Sequence, residues 1–556
     1  MKKVLTIVLI FAVILAALLG LSSLWQRIRP APAEPVEPEK ETVIANTIDP
    51  NGATVIALSD SGVSVTGMGA EAPDGHTVTI AYPGTYRVQG EISDGQLVVD
   101  LKDFSGGVYL ILDGASVSCD DGPAIHIVQA DLTVVYLAEG TENLLRDGAD
   151  YLVQEGQEKK TGAGIYSADD LLITGEGALT VVGSAADGIR SKDALAIQGG
   201  DITVYAADDG LQASDFISVS GGAVAIGAYG DGISTTDGYV EISGGDLRIV
   251  SGGDGVDAVT ALDISDGSVS VTAHGGPESF PEIAAADISA KGLKAENITI
   301  TGGEITLSTA DDGIHGGRDV TVTGGSFTIA SGDDAVHAAG VLEVKGVTID
   351  ISESYEALEG DTVRLSEVTV SAAAENNGVD AGEGGVTAYA SDLTLKAPRA
   401  MSSDGVMNML AGSVFADADG TDSLFSFTSS ELIGCTVLIG TDSGRSDVLL
   451  EKGRLPGSML FGFSEAIPAG TPFSIAEPSG NVVYFFTLDK DVMEVYLALG
   501  GLLDGQTYTL TVGENVMEFT YDAEDCVVSE QELPITERGG FPGGPGGFPG
   551  MPGGRR

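Results

Sequence analysis

Short hydrophobic runs recur along most of this chain at a nearly constant interval. Each run begins directly after a small residue, usually the glycine of an Asp-Gly pair, which we call the slot residue. Successive slot residues lie 21 to 23 positions apart, except for one step of 37 between Gly255 and Gly292. The nine slot residues are Gly188, Gly210, Gly232, Gly255, Gly292, Gly313, Ala335, Ala357 and Gly378.

Two further apolar pairs follow in each repeat, and both alternate with polar residues. Ile217/Val219 is typical of the first pair and Ile202/Val204 of the second. This period of two, in β-branched residues, indicates strands with one buried face. Gly-Gly pairs such as Gly199-Gly200 and Gly302-Gly303 supply the positive φ of tight corners.

Three short strands in about 22 residues predict one coil of a parallel β-helix, because a single coil cannot bury its apolar face and must stack on its neighbours. An antiparallel sandwich would not keep one period and one slot chemistry over nine repeats. The predicted fold class is therefore all-β, a right-handed parallel β-helix with a C-terminal β cap. The right hand follows the usual crossover preference.

Changes of composition predict the domain boundaries. The longer, more aromatic strands near the C-terminus would cover the open sheet edge of the last coil, and the Gly/Pro tail is expected to be disordered. The predicted segments are an N-terminal anchor or signal (1–28), a Pro/Glu-rich linker (29–45), irregular β coils (46–160), the regular β-helix (161–425), the cap (426–530) and the tail (531–556).

The N-terminal segment predicts export. Lys2 and Lys3 precede an uncharged apolar run, Val4–Leu24, that is long enough to span a bilayer. An uncleaved anchor and a cleaved signal both remain open. In either case we expect the rest of the chain to be extracellular, anchored at the cell surface or secreted. Contact with a membrane is expected only through this anchor.

The charge balance excludes several classes of binding partner. Asp and Glu number 82 against 27 Lys and Arg, a net charge of −55. Such a surface repels nucleic acid and anionic membranes and attracts cations. The hydrophobic content of 43% argues against disorder for most of the chain. We expect the protein to be a monomer.

Cys119, Cys435 and Cys526 do not have the spacing of a zinc site. They are unpaired thiols, or two of them form one disulfide.

Acidic residues also follow the repeat. Equivalent positions on adjacent coils lie about 4.8 Å apart, so the residues before the slot form a ladder of like charges. At an effective dielectric near 20, each neighbouring pair costs about 3 kcal/mol. The predicted ladder consists of Asp187, Asp208, Asp209, Asp231, Asp254, Asp311, Asp312, Asp333 and Asp334, with Glu356 and Glu359 in later coils.

Something must neutralise this ladder, and basic residues look too sparse. Those of the same coils are Arg190, Lys192, Lys291, Lys294 and Arg318. Calcium accepts carboxylate and carbonyl oxygens, which turns rich in Asp and Gly offer. We therefore predict Ca²⁺ bound by the nine aspartates of the ladder. The alternative is that Asp-Gly merely forms good turns.

Two stretches resemble a known family. They are "GSAADGIRSKDALAIQGGDITVYAADDG" and "SAKGLKAENITITGGEITLSTADDGIHGGRDVTVTGG". They resemble the carbohydrate-binding domain-containing family of bacterial surface proteins, over roughly Thr77 to Val512. The resemblance implies a right-handed parallel β-helix related to pectate lyases, with bound calcium. It also implies affinity for plant cell-wall polysaccharides such as cellulose and polygalacturonate.

Three functions remain open. In a calcium-dependent polysaccharide-binding protein, Lys192, Lys291, Lys294 and Arg318 would hold sugar carboxylates, and Tyr205, Tyr229 and Tyr239 could offer stacking faces. In a polysaccharide lyase, calcium would acidify the proton that Lys291 or Lys294 removes. A surface stalk or adhesin would need neither chemistry. His315 and His337 share one position, 22 residues apart, and should stack without a catalytic role.

Overall fold

The computed structural model describes residues 52–102, 104–149, 162–286, 288–417, 425–426, 429–433, 436–441, 458–488, 491–499, 502–522 and 526–529. All of them belong to one compact unit, Ala45–Arg556. It is 67% strand and forms a β-solenoid of about 14 turns, which confirms the predicted parallel β-helix. Its right hand stays a prediction. The predicted anchor, linker and tail lie outside the described residues.

The N-terminal coils are the less regular part of the solenoid. β1 pairs with β2, and β3 with β4, in antiparallel fashion, whereas the longer strands pair in parallel. The first ten strands are β1 (Thr54–Leu58), β2 (Ser64–Thr66), β3 (Ala70–Glu71), β4 (Thr77–Ile80), β5 (Gly84–Ile92), β6 (Gln96–Asp100), β7 (Gly107–Ser118), β8 (Ile125–Gln129), β9 (Leu132–Leu137) and β10 (Glu142–Arg146). Cys119, just after β7, is buried and free.

Parallel strands continue through the regular coils. They are β11 (Ala163–Ser167), β12 (Leu171–Gly175), β13 (Ala178–Gly183), β14 (Asp187–Ser191), β15 (Ala194–Ile197), β16 (Asp201–Ala206), β17 (Leu211–Ala213), β18 (Phe216–Val219), β19 (Ala223–Ala228), β20 (Ile233–Thr235), β21 (Tyr239–Ser251), β22 (Val256–Asp257), β23 (Ala261–Ala273), β24 (Leu293–Thr309), β25 (Ile314–Ser331), β26 (Val336–Lys345), β27 (Thr348–Glu353), β28 (Glu356–Ser366), β29 (Thr369–Ala373), β30 (Asn377–Lys396), β31 (Arg399–Ser403), β32 (Val406–Asp417) and β33 (Phe425–Ser426).

The irregular step of the repeat contains the only α-helix among the described residues. A 3-10 turn, Pro277–Ser279, leads into α1 (Phe280–Ala286). Ile283 of α1 is buried in the main core. The insertion is therefore packed onto the solenoid. Within the described ranges, no helix has the length and apolar character needed to cross a membrane.

Antiparallel strands cover the C-terminal end. The last parallel strand of the solenoid pairs antiparallel with β39, and a separate four-stranded antiparallel sheet follows in the order β38-β37-β40-β41. The strands are β34 (Ser429–Ile433), β35 (Thr436–Thr441), β36 (Ser458–Ile467), β37 (Pro472–Ala476), β38 (Val482–Thr487), β39 (Val492–Leu499), β40 (Thr507–Val512), β41 (Asn515–Thr520) and β42 (Cys526–Ser529).

The pairings of the regular coils form three stacks. The first stack contains the segments that directly follow the slot residues, such as β14, β17 and β20. The second contains β15 and β18, and the third β16 and β19. Each apolar residue sits on its equivalent one coil away, as in Ile189, Leu211 and Ile233, all fully buried. This stacking fixes the register in which polar residues also align.

Close backbone approach explains the slot glycines. A Cβ on Gly210 would lie 2.6 Å from the Gly232 carbonyl oxygen and 2.3 Å from Ile226 Cγ2. The next coil occupies the space that a side chain would need. In the Gly-Gly corners the reason is conformational, since Gly200 has φ 100° and Gly303 φ 94°, as predicted.

Substituting Gly210 tests the packing of the coils. We expect Gly210→Ala to destabilise the protein by about 1–3 kcal/mol, because the added methyl overpacks the core against the next coil. Gly227→Ala is the matched control, since its Cβ would approach Tyr205 Cδ1 at an ordinary 3.5 Å. Urea unfolding measures both. Equal stability of the two variants would contradict the packing described here.

Candidate functional site

Two columns of polar side chains run along the first stack. The Asp column contains the residues directly before the slot residues, and the outer column contains the outward-facing second residue after each slot residue. The Asp column is Asp187, Asp209, Asp231, Asp254, Lys291, Asp312, Asp334, Glu356 and Asn377. The outer column is Arg190, Gln212, Ser234, Asp257, Lys294, His315, His337, Glu359 and Asp380.

Backbone amides satisfy part of the Asp column. The Asp231 N–H donates to Asp209 Oδ1 at 2.8 Å, and the Asp254 N–H donates to Asp231 Oδ1 at 2.7 Å. The Asp334 N–H donates to Asp312 Oδ1 at 3.0 Å in the same way. These aspartates therefore join neighbouring coils at the corner, which gives them a structural role beside any ligand.

The expectation that basic residues are too sparse is wrong for three of them. Lys291 itself stands in the Asp column, and its Nζ lies 2.9 Å from Asp311 Oδ1 and 2.8 Å from Asp312 Oδ2. Lys294 Nζ lies 2.8 Å from both Asp254 Oδ2 and Asp257 Oδ2. Because the coils stack, one ammonium group neutralises two carboxylates at once.

Arg190 neutralises the first residue of the Asp column, because its Nη1 lies 3.1 Å from Asp187 Oδ2.

The carboxylates around Lys291 and Lys294 also change the pKa values of the two lysines. Burial lowers the pKa of Lys291 and Lys294, but the adjacent carboxylates outweigh it and raise both pKa values above the usual range. Both lysines are therefore protonated at neutral pH.

Two histidines form the next part of the outer column. The rings of His315 and His337 stack with centroids 4.8 Å apart and an interplanar angle of 6°, as predicted. His315 Nδ1 donates to Asp312 Oδ2 at 2.6 Å, and His337 Nδ1 donates to Glu359. Burial lowers the pKa of His337, but hydrogen bonds to Asp334 and Glu359 raise it to about 10. His337 is thus an imidazolium at neutral pH.

Glu356, Glu359 and Asp380 form a third arrangement, which we call the Glu356 group. Carboxylate oxygens of the three lie within 4.8 Å of one another. Burial and the neighbouring carboxylates raise the pKa of Glu356 to about 7 and also raise that of Asp380. The nearby Arg399 donates from Nη1 to Asn377 Oδ1 instead of to a carboxylate.

The donor chemistry of the Glu356 group suits a hard cation. Three carboxylates supply the oxygen ligands that calcium prefers. Three other sets of described side chains also converge closely enough to hold an ion, and each contains or contacts a lysine or histidine; Glu359 of the Glu356 group likewise accepts a hydrogen bond from His337. The first set is Asp231, Asp254 and Asp257, which contacts Lys294. The second is Asp311, Asp312 and Asp333, which contacts Lys291. The third is Asp334 and Glu359 together with His337.

The nine predicted metal ligands all lie at this corner, but their settings differ. Asp231, Asp254, Asp311, Asp312, Asp333 and Asp334 belong to converging sets. Asp187 pairs with Arg190, and Asp209 accepts hydrogen bonds from Gln212 and Ser234 at 2.7 Å each. Asp208 precedes the column and is exposed. That any of the nine binds calcium stays a prediction.

The predicted sugar-binding residues are divided. Lys291 and Lys294 lie in the columns, whereas Lys192 directly follows β14 and Arg318 lies within β25, beyond its first-stack part. Lys192 is exposed, and Arg318 pairs with Asp319 at 3.1 Å. Tyr239 is buried with its ring stacked 5.3 Å from that of Phe216, so its proposed role as a stacking face is wrong.

Sequence reasoning missed Asp257 and Asp380. The alternation of buried and exposed residues along the strands indicates both positions, because the second residue after each slot residue faces outward and therefore joins the outer column. Glu356 and Glu359 were recognised as members of the ladder but not as a group with Asp380. Only the register of the coils shows that Glu359 pairs with Asp380 across the stack.

Comparison with known proteins supports the resemblance seen in the sequence. Residues 74–335 match the model of the carbohydrate-binding domain-containing protein family, which is the N-terminal part of the span predicted from the sequence. A "Carbohydrate-binding domain-containing protein" of Acetivibrio thermocellus is 39% identical over 130 residues, which are 23% of this chain and 45% of that protein. The chain therefore matches less than half of that relative's length.

A solved structure is similar as well. It is described as the polysaccharide lyase-like protein from C. thermocellum in its gadolinium derivative. It is 31% identical to this chain, with a TM-score of 0.40, and the match covers 45% of this chain and 96% of that one. The Glu356 group lies beyond residue 335, where the family match ends.

Substitution of Lys294 tests whether lysine side chains neutralise the neighbouring carboxylates. We expect Lys294→Met to destabilise the protein by about 1–3 kcal/mol, because Asp254 and Asp257 lose the charge between them. Lys192→Met, which removes an exposed lysine, should leave stability unchanged. Urea unfolding at pH 7.5 measures both, and a Lys294→Met protein as stable as the control would rule out the proposed neutralisation.

Stability should also depend on pH. The pKa values of Asp187, Asp231 and Glu356 are each raised to about 7 by burial and neighbouring charges. An unfolded chain ionises these groups from about pH 4 upward while the folded chain keeps them protonated. Their contribution is therefore complete below about pH 4 and is lost progressively as pH rises to about 7.

The opposite sign applies to Asp312 and Glu359, whose pKa values are lowered chiefly by hydrogen bonds from histidine and lysine. Their contribution is lost as pH falls below about 4. We therefore expect the urea midpoint in metal-free buffer to be highest near pH 5 and to fall up to pH 7.5. A midpoint that stays level or rises between pH 5 and 7.5 would count against these assignments.

Proposed function

We propose that this protein is an exported, calcium-dependent carbohydrate-binding protein that holds an acidic polysaccharide along the first stack. The observation that carries the proposal is the Glu356 group, in which three carboxylates converge with no lysine between them and only Glu359 is bound by a cationic side chain, His337. The family match over residues 74–335 supports carbohydrate as the ligand. Cell-wall polymers rich in uronates, such as polygalacturonate, are the ligands that this chemistry fits.

Calcium would overcome the repulsion between this acidic protein and an acidic polysaccharide. A protein with a net charge of −55 repels a polymer of uronates. A calcium ion held by Glu356, Glu359 and Asp380 would neutralise most of the local negative charge and supply further coordination positions for sugar carboxylates. Asn376 and Asn377 already orient the site, because both side-chain amides donate to Glu356 Oε1 at 2.7 Å.

The state of the lysines favours binding over lyase chemistry. A lyase needs a neutral base near the cation to remove a proton from the sugar. The carboxylates around Lys291 and Lys294 hold both side chains in the protonated form, and each ammonium is engaged by two aspartates. Both lysines therefore serve as fixed positive charges of the columns and are poorly suited to act as bases.

The location follows from the sequence. The apolar run Val4–Leu24 after Lys2 and Lys3 supports export. Outside the cell, calcium is present at millimolar concentration, which suits weak carboxylate sites. We therefore propose that the solenoid acts at the cell surface or in the medium, where insoluble plant polymers are found.

A substitution in the Glu356 group tests the cation. We expect saturating calcium to raise the Tm of the protein at pH 7.5, with a stabilisation on the order of 2–3 kcal/mol at one hundred times Kd. Glu356→Gln should raise the Tm in EDTA, because it removes a buried charge, and should abolish the shift on adding calcium. Glu343→Gln, at an exposed position of the second stack, is the control. An equal calcium shift in all three proteins would exclude the Glu356 group.

A sedimentation assay tests the function itself. We expect the protein to co-sediment with insoluble polygalacturonate in calcium and to remain in the supernatant in EDTA. Absorbance of an unsaturated uronate product, followed in the same samples, should stay at baseline. Binding that ignores EDTA, or an absence of binding in calcium, would contradict the proposal, and a rising absorbance would assign a lyase.

A further inference from the structure

We infer that Tyr205 and Tyr229 form a stacking subsite for the neutral sugar rings of a polysaccharide, separate from the Glu356 group. We call it the tyrosine corner. The inference rests on the proposed function in that it takes carbohydrate as the ligand class. It goes further in assigning a second site, a second ligand chemistry and independence from calcium.

Tyr205 lies on the outer face of the third stack, near the corner where the Asp column begins. Its side chain is 56% exposed. On the next coil its partner in the stack is Gly227, and a Cβ on that glycine would lie only 3.5 Å from Tyr205 Cδ1. The ring of Tyr205 therefore lies against a glycine on the following coil, with Val182 at the equivalent position of the preceding coil, and more than half of its side chain stays open to solvent.

Tyr229 follows two residues after Gly227, and its side chain is 85% exposed. The register places Ala207 at the equivalent position on the preceding coil and Gly252 on the following coil. Neither residue has a side chain long enough to cover a phenol ring. Both tyrosines thus present open aromatic surface on adjacent coils, and an exposed ring of this kind has no packing function in the core.

Carboxylates lie beside the backbone that carries Tyr229. A Cβ on Gly230, the residue after Tyr229, would lie 2.5 Å from Asp209 Oδ1 and 2.7 Å from Asp208 Oδ1. Aromatic faces receive the apolar C–H faces of sugar rings, and carboxylate oxygens accept hydrogen bonds from sugar hydroxyls. A few polar groups beside an apolar surface are the usual composition of a small-ligand site.

The charge of the corner decides which sugar fits. Asp208 and Asp209 lie next to Gly230, the residue after Tyr229, and Asp231 follows it in sequence. Arg190 of the outer column is already paired with Asp187. A uronate carboxylate would be repelled here, whereas an uncharged ring would not. The tyrosine corner therefore selects neutral sugar, in contrast to the Glu356 group.

Both sites lie at or beside the corner between the third and first stacks, because Tyr229 comes three residues before the slot residue Gly232 and Glu356 comes directly before Ala357. Five coils separate the slot residue Gly232 from Ala357, or roughly 24 Å at the strand spacing of a sheet. A polymer chain that runs along the solenoid axis can contact both. Mixed polymers with neutral and acidic segments would then gain from both sites at once.

Affinity electrophoresis of the full chain tests this inference. The probe is hydroxyethylcellulose, a neutral polymer, cast in native gels with calcium or with EDTA. We expect the wild-type protein to be retarded in both gels and the Tyr205→Ala/Tyr229→Ala protein to bind at least tenfold more weakly. Tyr229→Phe should bind as the wild type, because it keeps the ring. Tyr389→Ala, which removes a tyrosine that is 49% exposed on the second stack, should also bind normally.

The outcomes separate the two proposals. Unchanged retardation of the double variant, or no retardation of the wild type in the neutral polymer, overturns the tyrosine corner. If sedimentation with polygalacturonate in calcium persists at the same time, the proposed function stands without it. Loss of retardation in the double variant, with an unchanged calcium shift in Tm, supports both sites as separate.

Discussion

Repulsion between carboxylates held one coil apart is the constraint that organises this molecule. Hydrophobic stacking fixes the register, so the Asp column cannot spread its charges without breaking the core. The structure relieves the repulsion in three ways. Backbone amides donate to Asp209, Asp231 and Asp312, cationic side chains bridge neighbouring coils, and raised pKa values keep protons on other acids such as Glu356. The last of these is where a cation has most to contribute.

The same register explains why most of the charged side chains that meet lie on one face. The outward residues of the second and third stacks are mixed and include exposed Tyr205 and Val250, whereas the first stack carries the Asp column and the outer column. Each coil adds one residue to the Asp column and one to the outer column, so single substitutions change the character of the face step by step. Lys291 and Lys294 pair with four aspartates in one segment, His315 and His337 pair with acidic side chains in the next, and Glu356 and Glu359 form a further acidic segment.

Sequence alone predicted the features that depend on period. The slot residues, the Gly-Gly corners, the stacked histidines and the position of the acids all follow from alignment of repeats. It could not predict which charges meet, because Lys291 Nζ reaches Asp311 and Asp312 on the following coil while Lys294 Nζ reaches back to Asp254 and Asp257. The direction of a long side chain depends on packing around it. For the same reason Tyr239 looked like Tyr229 in sequence, although one is buried and the other exposed.

The most direct test of this account is the release of protons when calcium binds. Titration calorimetry at pH 6.5, in buffers of different ionisation enthalpy, counts those protons. Because Glu356 has a pKa raised to about 7, calcium must displace a proton there. The account predicts a release of about one proton at pH 6.5 that disappears at pH 8.5. Binding with no proton release at pH 6.5, or no binding at either pH, would contradict it.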